Sequence, residues 1–416
     1  MVNFDGSEIF KMSSTLAPTN QISQRISNLA ESATLAMAAK AREYRAQGIE
    51  VIALSLGEPD FKTPSHICEG AKQAIDEGKY FSYPPVNGYL DLRQAICNKL
   101  HRDNKIQYTP DQIVVSNGAK QSIANAMFSL VDPGDEVIIF APYWVSYKAI
   151  VELAEGVPVY ANGGIDNDFK ATAAQLEAAI TSKTKVVIYS SPSNPTGSVF
   201  TREEMTEIAK VLARHDGIYV IADEIYEYIN YTGEHVSLAA FPEMYDRTIT
   251  VNGFAKGYAM TGWRVGYIAA PSWIAKACSK MQGQVTSANC SIAQRAALTA
   301  LTEDLEPTFA MTREYLRRRD LVMELLKEIP GIRTPLPQGA FYFFPDVSWY
   351  FGKSDGSTTI QNADDFCMHL LDEAQVALVT GSAFGAPNCV RISYAASEEN
   401  LRLAISRIKE VLSRLA

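Results

Sequence analysis

Apolar residues in this chain follow two rhythms. Short continuous runs at Ile113–Ser116, Glu136–Phe140, Lys185–Ser190, Ile218–Ala222, Thr248–Asn252 and Val265–Ala269 are separated by stretches such as Gln121–Leu130 and Glu203–Arg214, where apolar positions recur every three or four residues. Runs that are apolar at every position predict strands covered on both faces, and the helical rhythm between them supplies the cover. The predicted class is therefore α/β with a mostly parallel sheet. Such sheets bind ligands beyond the C-terminal ends of their strands, and Asp223 and the residues after Asn252 stand at two such ends.

Outside this region the pattern changes. The first thirty or so residues are rich in Ser, Thr and Asn without periodicity, and read as a loosely held arm. Thr34 to Gln47 has helical spacing and meets a stop at Gly48; an apolar run, Val51–Leu56, then leads into Gly57-Glu58-Pro59-Asp60. A long helical pattern from Pro307 to Glu328 reads as a connector. Beyond it, short strands at Ala340–Phe344, Ala377–Val379 and Val390–Ser393 and helices at Ala363–Ala374 and Glu398–Leu415 predict a smaller α+β domain, against which the N-terminal helix packs. The expected division is 1–59 for the arm and first helix, 60–306 for a large domain, and 307–416 for the connector and small domain. Gly352–Thr359 reads as a surface loop.

At 416 residues and 47% hydrophobic content the chain has material for a large core, and 38 basic against 47 acidic residues leave a net charge of −9. That balance disfavours nucleic acid and anionic membrane as partners. The basic cluster Arg317-Arg318-Arg319 falls within a helical pattern and reads as a solvated or interdomain face. Six cysteines without a C-x-x-C pair indicate neither a metal site nor a disulfide framework, so the thiols read as reduced. Asp5, Glu8 and Lys11 interrupt any signal-type apolar segment, and the longest apolar stretch, Val137 to Val145, is too short to span a membrane and contains Pro142. A cytoplasmic location is expected.

Several short segments combine the residue types needed for chemistry. Ser116-Asn117-Gly118-Ala119-Lys120 joins a strand to a helix; small residues there expose backbone N–H groups to an anion, or simply make a tight turn. Ser193-Asn194-Pro195-Thr196-Gly197 reads on its own as a turn. Asp223 ends an apolar strand, where it is either a helix cap or a carboxylate meeting a buried cation, and Tyr226 follows. Lys256 precedes Thr261-Gly262-Trp263-Arg264, whose guanidinium is suited to phosphate. Arg391, inside Val390-Arg391-Ile392-Ser393, needs a carboxylate, either a substrate's or a structural partner's. A lysine able to form an imine, a strand-end carboxylate able to hold a pyridinium, and an arginine able to bind phosphate together point to pyridoxal phosphate.

These segments, with Gly57-Glu58-Pro59-Asp60-Phe61, Tyr83-Pro84-Pro85, Pro142-Tyr143-Trp144-Val145-Ser146-Tyr147 and Gly339-Ala340-Phe341-Tyr342, give the chain a resemblance over nearly its whole length to the class I aminotransferases, fold type I pyridoxal-phosphate enzymes. The aspartate aminotransferases of many bacteria are the most similar subgroup. The resemblance implies a seven-stranded large domain, an exchange of amino groups between L-aspartate and 2-oxoglutarate, and a homodimer with shared active sites. It implies that Lys256 binds the cofactor and moves a proton, that Asp223 pairs with the pyridine nitrogen, that Tyr226 and Asn194 bind the ring oxygen, and that Trp144 stacks on the ring. Arg264, the Gly118 and Ala119 backbone and Tyr83 of a second subunit would hold the phosphate. Arg391, with Asn194 and Gly57, would hold the substrate α-carboxylate.

The chain also departs from its relatives. Gly253 and Ala255 stand where many of them carry hydroxyl residues that bind phosphate. The Val285–Ser291 stretch lacks the arginine that animal and enteric enzymes use for the second carboxylate; members of the bacterial subgroup that the chain resembles use a lysine at the position of Lys120, so the resemblance implies Lys120 as the replacement, assisted by Ser32 and Thr34. Ala30-Glu31 lacks the basic residue that helps some bacterial members accept prephenate. Aromatic, alanine-type or kynurenine aminotransferases and C–S lyases share every cofactor residue, so the fold does not choose among them. A non-catalytic sensor domain would need a DNA-binding module, and a nicotinamide enzyme a G-x-G-x-x-G turn; neither signal is present.

Overall fold

The computed structural model describes residues 22–30 and 33–416. Its centre is a seven-stranded sheet, β1 (Ile113–Ser116), β2 (Glu136–Ala141), β3 (Val157–Asn162), β4 (Thr184–Ser190), β5 (Tyr219–Asp223), β6 (Thr248–Gly253) and β7 (Gly266–Ala269), in the spatial order β1-β7-β6-β5-β4-β2-β3. All neighbours are parallel except β7, which runs antiparallel to both β1 and β6. The sheet is buried on both faces. Val114, Ile139, Ile188 and Ile221 pack on one side with helices Ala119–Leu130 and Ser272–Val285, while Ile138, Val187 and Val220 pack on the other with helix Arg202–Leu212.

Six of these strands match the continuous apolar runs, and the seventh, β3, has no such signal. It is one of two edge strands and, unlike the fully buried β1 at the other edge, is partly exposed: Val157 is 45% exposed, and Pro158, which has no N–H to donate, is tolerated where one side of the ladder is free. Half-exposed edges do not need an unbroken apolar run.

Two smaller sheets lie at the other end of the chain. Ile52–Ala53 pairs in parallel with Val376–Ala377, and Val379–Thr380 and Tyr342–Phe343 flank Val390–Ser393. The single strand expected at Ala377–Val379 is thus two, which break at Leu378 to join different sheets. Helix Ala33–Ala46 packs Ala41 against Leu371 and Ala377, and Tyr44 donates to Asp372 at 2.5 Å.

The arginine triplet sits on helix Glu306–Lys327, and its members differ. Arg317 is exposed, whereas Arg318 is buried, ion-paired with Asp60 at 2.8 Å and Glu314 at 2.9 Å and stacked 5.0 Å from the Phe61 ring. It ties the connector helix to the loop that carries Gly57.

Candidate active site

Strand β5 delivers Asp223 to the C-terminal edge of the sheet. Its carboxylate is only 4% exposed, accepts a hydrogen bond from the Tyr147 hydroxyl at 2.7 Å and a longer one from the Ile225 N–H at 3.3 Å. Burial pushes its pKa up to about 6, against the pull of the Tyr147 hydrogen bond. Neither contact is a cation, so a buried negative charge is held with capacity for one more donor.

The neighbouring strand β6 ends at Gly253, and three residues on Lys256 turns its amine back toward the same edge. Nζ donates to the Gly57 carbonyl and lies 5.6 Å from the centre of the Tyr226 ring and 5.9 Å from that of Phe341. Burial lowers its pKa to about 8; Glu58 and Asp223 oppose the shift, while Arg391 and Arg264 add to it. At neutral pH this raises the neutral-amine fraction by roughly two orders of magnitude over an exposed lysine. Lys256 is therefore a candidate nucleophile and base.

Next to this edge, two glycines let backbones approach closely and a third makes room for a guanidinium. A Cβ on Gly253 would lie 2.8 Å from the Gly266 Cα, one on Gly266 would lie 2.4 Å from the Ala119 nitrogen, and one on Gly118 would lie 2.6 Å from Arg264 Nη2. Gly118 also needs its φ of +84° to start helix Ala119–Leu130. This explains the departure at position 253: antiparallel pairing with Gly266 occupies the space a serine side chain would need. The N–H groups of Ala119 and Lys120 at the start of that helix have no helical carbonyl to bond, and Gly118 just before them lies against Arg264. Arg264 donates to the carbonyls of Thr261 at 2.9 Å and Asn117 at 3.3 Å, and Asn289 fixes the loop by donating to the Arg264 carbonyl at 2.7 Å and Asn117 Oδ1 at 2.8 Å. Lys120 is exposed, lies 4.9 Å from the centre of the Trp144 ring, and has its pKa lowered by partial burial and by the charge of Arg264.

Arg391 is 2% exposed, and both its hydrogen bonds go to neutral oxygens, Asn194 Oδ1 at 2.8 Å and the Ser55 carbonyl at 2.7 Å. Its Nε has no partner, and its guanidinium lies 4.5 Å from the Tyr342 ring centre and 5.0 Å from that of Phe384. Of the two partners the sequence left open, a structural salt bridge to Arg391 is not found among the described residues. Tyr342 also shares a 2.7 Å hydrogen bond with the Tyr226 hydroxyl, and a Cβ on Gly57 would lie 2.7 Å from its oxygen. Gly57 is thus a close backbone approach beside the guanidinium.

The structure brings together Gly57, Gly118, Ala119, Lys120, Trp144, Asn194, Asp223, Tyr226, Lys256, Arg264 and Arg391, from strand ends and loops far apart in sequence. Tyr83 is 93% exposed, alongside Thr286–Ile292, as a residue offered outward would be. Thr34 is half-buried in the first turn of helix Ala33–Ala46, where neighbouring Ala33 packs against the cluster containing Phe384. Ser32 lies outside the described residues. Tyr147 and Tyr342 were given no role by the sequence reading, although both stand in motifs it singled out. For Tyr342 the sequence signal is an aromatic hydroxyl in the otherwise apolar Ala340–Phe344, and Tyr147, between Ser146 and Lys148, carries no such signal.

Behind Asp223, Glu224, Glu227 and His235 converge within 4.8 Å of one another. The Lys99 ammonium bonds Glu227, and Asn104 links Lys99 at 2.8 Å to Ser237 at 2.8 Å, so the cluster already contains its own cation. It reads as a salt-bridged polar core.

Comparison with known proteins agrees with this geometry. The family model for aminotransferase class I and II matches residues 49–408. A bifunctional aspartate aminotransferase and glutamate/aspartate-prephenate aminotransferase of Petunia hybrida is 47% identical over 94% of this chain and 82% of its own length. The crystal structure of an aspartate aminotransferase from Rhizobium meliloti superposes with a TM-score of 0.92 at 42% identity, covering 95% of this chain and 100% of that one. An aspartate aminotransferase from Thermus thermophilus, solved with maleate, superposes with a TM-score of 0.88 at 41% identity over 94% and 99% of the two chains. A site with a depressed lysine, a buried carboxylate and an unmatched arginine, on a fold shared at this identity over nearly full length, leads to one assignment: the chain belongs to the class I and II aminotransferases.

Proposed function

We propose that this enzyme moves the amino group of L-aspartate to 2-oxoglutarate by a ping-pong mechanism using pyridoxal 5′-phosphate. The observation that carries the reading is Arg391, a buried cation without a counter-charge among the described residues, on the same site as a lysine whose pKa is lowered to about 8. The described residues fit the cofactor: Asp223 retains hydrogen-bonding capacity, Gly118 leaves a cradle that a side chain would fill, and Arg264 sits beside it. Pyridoxal phosphate supplies a carbonyl that takes up an amino acid's amine and a protonated ring that draws electrons from its Cα.

The chain's own residues do the rest. Arg391 and Asn194, with the Gly57 backbone, grip the α-carboxylate and so orient the Cα–H bond. Lys256, displaced from the cofactor by the incoming amine, would move the proton between the substrate Cα and the cofactor C4′, on either side of the shared nitrogen. Asp223 keeps the proton on the ring nitrogen, Tyr226 and Asn194 bind the ring oxygen, and Trp144 covers a ring face. Arg264 and the Gly118 and Ala119 backbone hold the phosphate with Tyr83 from a second copy of the chain, so the working unit is a homodimer.

Lys120 is assigned the distal carboxylate, with Ser32 and Thr34 assisting. Its position beside Trp144 and Arg264 and the aspartate activity named for the relatives support this choice. The division at residues 59/60 and 306/307 and a cytoplasmic location belong to the same reading; among the described residues no helix is long and apolar enough to cross a membrane. The test is a donor panel against 2-oxoglutarate. Aspartate exceeding alanine and phenylalanine by at least about tenfold in kcat/KM, or about 1.4 kcal/mol, is expected. Equal rates, or a preference for prephenate as acceptor, would overturn the substrate assignment.

A further inference from the structure

We propose that Tyr147 is the positioning residue that keeps Asp223 ionised and aimed, acting on the pyridine-nitrogen proton without touching the cofactor. This deepens the role given to Asp223 above and rests on it. Tyr147 is the second residue of helix Ser146–Leu153, is 1% exposed, and lies among Ile139, Ile150, Val151 and Ile188. A hydroxyl in such surroundings needs an acceptor, and the one it reaches is Asp223 Oδ2, at 2.7 Å. Trp144 meets the Tyr147 ring edge-on, with centroids 5.6 Å apart at 87°, and fixes it from the site side.

The kind of donor matters. An arginine or lysine at this position would cancel the charge of Asp223, whereas a phenol stabilises it and leaves the full negative charge for the ring. Tyr147 remains a donor throughout the working range, because burial and the adjacent carboxylate push its own ionisation far up. The other groups acting on Asp223 divide: Glu224 disfavours the ionised form, Lys256 and the Ile225 N–H favour it, and burial opposes it most strongly. Without the phenol, burial loses its largest single opponent.

The experiment follows the Asp223 carboxyl by carbon NMR in the cofactor-free protein, with Asp223→Asn identifying its resonance. Wild type should titrate near pH 6. Tyr147→Phe should move the midpoint up by about one to two units, the loss expected when a charged acceptor gives up a hydrogen bond. Fluorotyrosine placed at position 147 alone, a stronger donor of nearly the same shape, should move it down, and it decides the matter if Tyr147→Phe does not fold. In the loaded enzyme the acid limb of kcat/KM should shift upward with Tyr147→Phe, and that substitution should lower kcat no further when Asp223 is already Asn. An unmoved midpoint, or an equal fold-loss in both backgrounds, would show that Tyr147 only fills the core. Full activity in Asp223→Asn would instead remove the role given to Asp223 and leave the titration result standing.

Discussion

Arg391 carries the most of the functional reading, and its replacement is the most informative perturbation. In the folded chain the guanidinium is fully desolvated, with two neutral acceptors, an unpartnered Nε and aromatic rings at 4.5 Å and 5.0 Å. Burial lowers its pKa, and among the described residues the charge has no counter-ion. A substrate carboxylate supplies that counter-ion through two parallel hydrogen bonds, and losing such a desolvated pair costs about 2–5 kcal/mol. Arg391→Met should therefore lower kcat/KM by roughly 30-fold to a few thousandfold for aspartate, glutamate, alanine and phenylalanine alike, because every amino acid has an α-carboxylate. Arg391→Lys should recover little, since an ammonium lacks the planar fork. Folding should change far less: the Ser55 carbonyl and Asn194 each lose one donor, but an isolated buried charge disappears with it. The assay is the four-donor panel with urea unfolding of the same preparations. A loss confined to the two dicarboxylic donors would place Arg391 at the distal end, and a stability loss as large as the activity loss would make it a structural cation.

Lys256 should react with an acylating reagent as a group of pKa about 8, with half-maximal labelling two units or more below the exposed lysines; because the folded pKa is lowered, this group's contribution to stability is present above the unfolded value and lost as pH falls from about 10.5 through 8. Labelling of Lys256 that tracks the surface lysines would refute the buried environment. Lys120→Met should depress kcat/KM for aspartate and glutamate but not for alanine or phenylalanine, with cofactor retention unchanged; an equal drop for all four, or loss of cofactor, would assign Lys120 to the phosphate instead. Gly253→Ser should not improve phosphate binding and should destabilise the fold by about 1–3 kcal/mol in a denaturant titration, because its Cβ would sit 2.8 Å from the Gly266 Cα and 2.9 Å from the Val265 carbonyl. Unchanged stability with tighter cofactor binding would show that the strands yield there.

The sequence by itself determined the strands whose two faces are buried, because an unbroken apolar run such as Val220-Ile221-Ala222 is a local property that needs no knowledge of neighbours. It also determined which residue types were out of place: a carboxylate ending one such run at Asp223 and a guanidinium inside another at Arg391 are costly wherever the chain puts them. Only the tertiary structure decided what they meet. Asp223 and Lys256 share a site because β5 and β6 are adjacent in the sheet, and Arg391 joins them because Val390–Ser393 pairs with Tyr342–Phe343, placing the Tyr342 ring beneath the guanidinium and its hydroxyl on Tyr226. Edge strand β3 was illegible because exposure relaxes the demand for apolar residues, and Tyr147 because a tyrosine hydroxyl between Ser146 and Lys148 has no meaning until its acceptor is known. The glycine at 253 reads in sequence as a missing phosphate ligand and in the fold as the only residue that lets two backbones touch. Burial and residue chemistry are written along the chain, whereas partnership depends on strand order and pairing, which bring together residues that no local pattern connects.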